Sequence, residues 1–198
     1  MTRNILYIHG AYASGTTFTH MVGHFPAHAA VFADYNCLNT SVANIVRILK
    51  ETVAEQFGGE PYSIVAHSLG GVVGLSLAAS GEPVEQIFTM SAPFGGSQTA
   101  SVLALLFFLT PVFADINPHS ATIRGILEGG VQVPVRSIVS TGGGSPLLPE
   151  ANDGVVTVAS QIQLVGPEYH TVDCNHFDVV QAGPVIHLAR EFLFDAAA

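Results

Sequence analysis

Ser68 stands in Ala66-His67-Ser68-Leu69-Gly70-Gly71, between an apolar run (Tyr62-Ser63-Ile64-Val65) and a run of small and aliphatic residues from Gly70 to Ala78. The first run reads as a buried strand and the second as a helix with a thin face. A serine on so sharp a strand-to-helix turn sits on strained backbone that points its hydroxyl outward, while small neighbours let the two elements pack closely. The helix N-terminus beneath that hydroxyl favours developing negative charge. This is the arrangement of a nucleophile; the plain alternative is a serine that merely caps a helix. Acyl transfer at such a serine also needs two donors for the oxyanion that forms. The backbone amide of Leu69 is one candidate, and the amide of Ala11, following His9-Gly10, is the other.

The elements that must position these groups can be read from the same sequence. Ile5-Leu6-Tyr7-Ile8 is a short apolar strand, followed by a polar, glycine-containing loop through Thr19. Ala29 to Ala33 reads as the next strand. Ser41 to Phe57 carries Val42, Ile45, Val46, Leu49 and Val53 at helical spacing and ends at Gly58-Gly59. Strand 62–66, the serine turn and its helix come next. Further strands are expected at Val84–Met90, Val133–Val139 and Tyr169–Val172, with a closing helix from Pro184 to Phe194. Alternating strands and helices imply βαβ units and a mostly parallel central sheet flanked by helices, with the site at the C-terminal strand ends.

A serine hydroxyl is a weak nucleophile until a base takes its proton, and the base works best when an acid fixes its tautomer. In hydrolases built on such sheets the partners follow in the order serine, acid, histidine. No Asp or Glu lies between Ala92 and Ala114. After the Val139 strand comes Asn152-Asp153-Gly154-Val155-Val156, which makes Asp153 the expected acid. A simple Asx turn is the alternative reading, and Glu150 is the nearest substitute. Of the later histidines, His170 belongs to the last strand or its edge and His187 to the last helix. His176, in Asp173-Cys174-Asn175-His176-Phe177-Asp178, falls in the loop from which a base could reach Ser68. His67 is expected to point away from Ser68 in a supporting role. His20, His24 and His28 show no metal-site spacing, and a structural role suits Cys174 better than a nucleophilic one.

Composition narrows the classes of partner. The 198 residues carry 6 Lys and Arg against 15 Asp and Glu, a net charge of −9, which argues against nucleic acid. Hydrophobic residues make up 48% and charged residues 11%, yet no apolar run reaches the roughly 18 residues of a membrane span. No basic, cleavable apolar leader is visible, so a cytoplasmic chain is expected, or a mature form of a secreted one. Two cysteines define no disulfide framework. Repeats, charge blocks and linkers are lacking, which points to one domain over 1–198 with a short apolar lid-like insertion around 97–130.

The chain resembles the α/β-hydrolase superfamily, in particular the compact bacterial lipases and carboxylesterases. The resemblance rests on Ile8-His9-Gly10-Ala11, Ala66-His67-Ser68-Leu69-Gly70-Gly71, Ser91-Ala92-Pro93-Phe94-Gly95-Gly96-Ser97, Asn152-Asp153-Gly154-Val155-Val156 and Asn175-His176, in that order along nearly the whole chain. It implies a triad of Ser68, Asp153 and His176, with Ala11 and Leu69 as oxyanion donors and no cofactor. Some related lipases hold a structural calcium with an Asp two residues after the histidine. Asp178 has that place here, but the usual upstream Asp is not evident, so no metal is expected. Ala11 stands where these families often carry a large apolar residue, which argues for short- to medium-chain acyl esters.

Val102 to Phe113 is the most apolar stretch and is read as a lid or acyl-pocket wall, with a core helix as the alternative. Tyr12, Leu105, Phe108 and Val155 are the expected pocket residues, facing a small apolar ester. The absence of a basic cluster weakens a coenzyme A thioester substrate. The expected activity is therefore carboxylic ester hydrolysis through an acyl-enzyme. A thioesterase or acyltransferase with the same triad is the nearest rival, and a non-catalytic binding module of the same fold is the more distant one.

Overall fold

Side chains alternate across a strand, so Ile5 and Tyr7 face one side of β1 (Asn4–Ile8) while Leu6 and Ile8 face the other, and all four are buried. That double burial is the mark of a parallel strand covered on both faces. The computed structural model describes residues 3–97, 110–145 and 148–195. After β1 the chain makes a 3-10 turn (Gly15–Phe18), the one-turn helix α1 (Thr19–Val22) and β2 (Ala29–Phe32). Helix α2 (Val42–Phe57) is capped by the Ser41 side chain on the Asn44 amide and stops at Gly58 in the left-handed region. Then come β3 (Tyr62–His67), α3 (Leu69–Ala79) and β4 (Val84–Met90). Helices α4 (Pro111–Asp115) and α5 (Ala121–Gly129) precede β5 (Val135–Ser140). The chain closes with α6 (Val158–Gln161), β6 (Glu168–Val172), a 3-10 turn (Asp178–Gln181), α7 (Gly183–Arg190) and a wider π turn (Glu191–Asp195).

The six strands form one sheet in the order β2-β1-β3-β4-β5-β6, and every neighbouring pair is parallel. From β1 the chain moves outward to β2, then crosses back to β3 on the other side of β1. That reversal is a topological switch point, where loops splay apart and leave a crevice at the C-terminal strand ends. One sheet face packs Leu6, Ile8, Ile64 and Ala66 against Ile45 and Leu49 of α2, Val72 and Val73 of α3, and Ile123 and Ile126 of α5. The other packs Ile5, Tyr7, Val65, Phe88 and Ile138 against Phe18, Met21, Val185, Ala189 and Phe192.

Three expectations shift. The strand expected from Val133 begins at Val135, because Pro134 has no N–H for the ladder, although its carbonyl accepts from the Ile87 amide at 3.0 Å. The closing helix stops at Arg190 and gives way to the π turn that buries Phe192 and Leu193. Of the expected insertion, residues 98–109 lie outside the described residues, and Leu105 and Phe108 with them. Its remainder contains α5, capped by Ser120 on the Ile123 amide and packed against α3 as a crossover helix. No helix among the described residues is long and apolar enough to cross a membrane.

Candidate active site

The turn after β3 carries the strain its sequence implies. Ser68 has φ 54° and ψ −124°, and Leu69 begins α3 at once. The glycines that follow explain how the helix comes so close. A Cβ on Gly70 would sit 2.1 Å from the carbonyl oxygen of Ile8, and one on Gly71 2.4 Å from the Cβ of Ala92. Neither position tolerates a side chain while α3 stays where it is. Ser68 is half-buried, with its hydroxyl toward the cleft.

His176 reaches that hydroxyl from the loop after β6. Its Nε2 lies 2.9 Å from Ser68 Oγ and its Nδ1 2.8 Å from Asp153 Oδ2. Because a carboxylate can only accept, Nδ1 carries the hydrogen and Nε2 is left free to take the serine proton. Asp153 is buried, and its carboxylate is surrounded by donors. The Val155 and Val156 amides donate to Oδ1 at 3.0 and 2.7 Å, and the Ser140 hydroxyl donates to Oδ2 at 2.7 Å. The Gln161 amide adds a longer bond to Oδ2 at 3.3 Å. Burial pushes the Asp153 carboxyl up, but the His176 bond and charge, the Val156 amide and the Ser140 hydroxyl outweigh it, so its pKa lies below the usual carboxylate value.

Ser140 and Gln161 have no counterpart among the residues singled out from sequence. Ser140 ends β5, and its hydroxyl is also 2.5 Å from that of Ser91 at the end of β4. Gln161, fully buried on α6, grips the Ser140 backbone from both sides, accepting from its amide at 2.9 Å and donating to its carbonyl at 3.0 Å. The one available signal was the strand-end position of Ser91 and Ser140. Gln161 gave none, since a glutamine on a short helix is ordinarily solvated.

The loop after β1 forms the opposite wall. His9 is buried, its Nδ1–H donates to the Gly10 carbonyl at 2.8 Å, and its ring stacks on Tyr35 at 4.1 Å. Tyr35 in turn donates its hydroxyl to the His9 carbonyl. This holds Gly10 against Ser68, where a Cβ would approach the serine Cβ to 3.1 Å. Ala11 lines the cleft just beyond, and Leu69 opens α3 with its amide in the first helical turn, where no helix carbonyl can accept from it.

The cleft encloses about 880 Å³ and is bounded by Tyr12, Ser14, Thr17, Phe113, Val155, Phe177 and Val180 around Ser68 and His176. Tyr12 is 61% exposed at the mouth, with its ring 5.7 Å from that of Phe113. Apart from the histidines, the described residues of the lining carry no ionisable side chain other than the Tyr12 phenol. A second groove of about 840 Å³ runs between α2, α3 and α5, and among the described residues no acidic, basic or histidine side chain lines it.

The remaining candidates lie elsewhere. Glu150 is exposed, His170 bonds Glu168 within β6 at 2.8 Å, and His187 is exposed on α7. The Asp178 carboxylate accepts from the Asn175 side chain at 2.6 Å, and among the described residues no group of three or more His, Cys, Asp or Glu stands together as metal ligands would.

At the level of sequence no family model and no curated protein matches the chain. At the level of structure it is similar to phospholipase PlaB from Legionella pneumophila, with a TM-score of 0.80 at 13% identity over 98% of this chain and 60% of that one. It is similar to the mature lipase BlEst2 from Bacillus licheniformis, with a TM-score of 0.75 at 17% identity over 97% and 92%. It is also similar to MGS-MChE2, an α/β-hydrolase enzyme from a lagoon-sediment metagenome, with a TM-score of 0.67 at 18% identity over 98% and 92%. The chain thus spans about 60% of the length of the Legionella phospholipase. The fold is that of the α/β hydrolases.

Proposed function

We propose that this chain is a serine hydrolase of carboxylic esters, with Ser68 as nucleophile, His176 as base and Asp153 as the acid that orients it. The observation that carries this reading is the unbroken hydrogen-bond chain from Ser68 Oγ through His176 to Asp153, opening on an uncharged cleft. Ser68 Oγ attacks the acyl carbon while His176 Nε2 takes its proton, and the imidazolium that forms is balanced by the ionised Asp153. The amides of Ala11 and Leu69 hold the oxyanion, each such donor contributing about 2.7–4 kcal/mol to the transition state. The ester C–O bond then breaks, and His176 returns the proton to the leaving alcohol. Water, deprotonated by His176, releases the acid and restores Ser68. The fold shared with a phospholipase and a lipase supports an ester as substrate. Among the described residues no carboxylate, lysine or arginine lines the cleft, and with Tyr12, Phe113, Val155 and Phe177 around it this supports a neutral, short- to medium-chain acyl group.

The test is a p-nitrophenyl ester series from acetate to palmitate, run on wild type and Ser68→Ala, with fluorophosphonate labelling in parallel. The expected outcome is turnover and labelling of wild type, neither in the variant, and a rate maximum below the longest chains. Turnover by Ser68→Ala at the wild-type rate, or no turnover and no labelling of wild type, sinks the reading.

A further inference from the structure

His67 takes no proton in the reaction above, yet it is buried directly beside the nucleophile. Its Nε2 lies 2.8 Å from the carbonyl oxygen of His176. A carbonyl can only accept, so Nε2 carries the hydrogen and Nδ1 presents a bare lone pair. Among the described residues that Nδ1 is buried without a hydrogen-bond partner, and it faces Gly10, where a Cβ would come within 3.2 Å of it. Among the described residues the ring's hydrogen bonding therefore runs through Nε2 alone.

The peptide groups of His176 are thereby tied from two directions. Its N–H donates to the Asp153 carbonyl at 2.9 Å, and its C=O accepts from His67. One bond fixes the histidine to the residue that supplies the acid, and the other fixes it to the residue preceding the serine. On the far side Phe177 is 69% exposed, and its amide bonds only within the loop, to Asn175 at 2.9 Å. Phe177 meets the His176 ring edge-on at 5.4 Å between centroids, but most of its surface is open to solvent.

We propose that His67 is a positioning residue for ester hydrolysis, whose Nε2–H holds the backbone of His176 at a fixed distance from Ser68 so that the imidazole stays within proton-transfer reach. This rests on the hydrolase reading above. Burial pushes the His67 pKa down to about 3, with the nearby His176 and His9 acting in the same direction against the pull of the carbonyl bond and Asp153. The ring so stays neutral at neutral pH, and with its centroid 4.9 Å from that of His176 it places no second positive charge beside the imidazolium formed during catalysis.

The test compares His67→Phe, which keeps the ring and its bulk but loses the donor, with His67→Gln, whose side-chain amide can place a donor near the lost Nε2. On p-nitrophenyl butyrate, kcat of the Phe variant should fall about 10- to 100-fold while KM stays within about twofold, the signature of displaced catalytic geometry rather than lost binding. The Gln variant should recover most of that loss at a melting temperature similar to that of the Phe variant. A folded Phe variant with wild-type kcat, or a Gln variant no faster than Phe, overturns the proposal. If neither variant folds, nitrogen-15 NMR of wild type decides: a His67 that is neutral and protonated on Nε2 from pH 7 to pH 4 supports it, and one that gains a proton on Nδ1 near neutrality overturns it. Wild type inert toward every ester and toward fluorophosphonate removes the hydrolase reading and this proposal together. An active wild type with unaffected His67 variants removes this proposal alone.

Discussion

Ser68 and Ser91 end neighbouring strands, each with a positive φ that L residues rarely adopt, 54° and 53°. Each continues the ladder in the same way, Ser68 N–H to the Met90 carbonyl at 2.9 Å and Ser91 N–H to the Ile138 carbonyl at 3.0 Å. They part at the next residue. Leu69-Gly70-Gly71 starts a helix at once, whereas Ala92 precedes a proline and is steered away from helical backbone, so the chain turns through Phe94 and Gly96 instead. His176 and an open cleft stand over Ser68; Ser140 stands over Ser91, which is fully buried. Backbone strain alone does not mark a nucleophile. A histidine within hydrogen-bond reach and an open cleft are what set Ser68 apart from Ser91.

The sharpest break between the two serines is chemical. Ser68→Ala should lower kcat by about four to six orders of magnitude, as measured on a short p-nitrophenyl ester. Asp153→Asn should follow at about four orders, because an amide leaves His176 in the wrong tautomer; a loss below tenfold would show that Asp153 is not the acid. The helix after Ser68 can be attacked directly. Gly70→Ala puts a methyl against the Ile8 carbonyl, and the displaced helix should cost about 1–3 kcal/mol in a denaturant melt, with slower fluorophosphonate labelling.

Changes beneath the acid should be milder, since several donors share the Asp153 carboxylate. Ser140→Ala should lower kcat about tenfold, and combining it with Gln161→Leu should give a coupled rather than additive loss. The residues preceding the two serines, His67 and Met90, supply a pH test. With a folded pKa of about 3 against about 6.5 in the unfolded chain, His67 lets the unfolded state bind the proton first. Stability is therefore intact above about pH 6.5 and is lost as pH falls toward 3. His67→Met should flatten that part of the urea midpoint against pH, and an unchanged slope would refute it. The smallest effect belongs to the second serine: Ser91→Ala should change kcat less than about threefold, acting only through Ser140.

Most of the strand and helix boundaries near the site were legible because they rest on short-range signals. Apolar runs bounded by glycine, the cap at Ser41 and the small residues after Ser68 are local, and β4 runs over Val84–Met90 as its pattern implies. That His176, rather than His170 or His187, comes within hydrogen-bond distance of Ser68 was also legible, since a loop, a strand and a helix impose different reach. Helix α5 was not anticipated, because its buried face is only Ile123 and Ile126 within a sequence containing two glycines.

What the sequence determined by itself is the order of the candidate groups along the chain: a serine on a sharp turn between strand and helix, an aspartate in an Asx-forming turn, and a histidine in the loop after the last strand. What only the tertiary structure decided is the support beneath it. Ser91, Ser140, Gln161 and the carbonyl of His176 acquire their parts through hydrogen bonds between residues as far as 49 and 109 positions apart. Serine, glutamine and a peptide carbonyl look the same in any sequence. They differ only once a buried carboxylate or imidazole is folded against them, because without water the nearest donor or acceptor becomes the only one available.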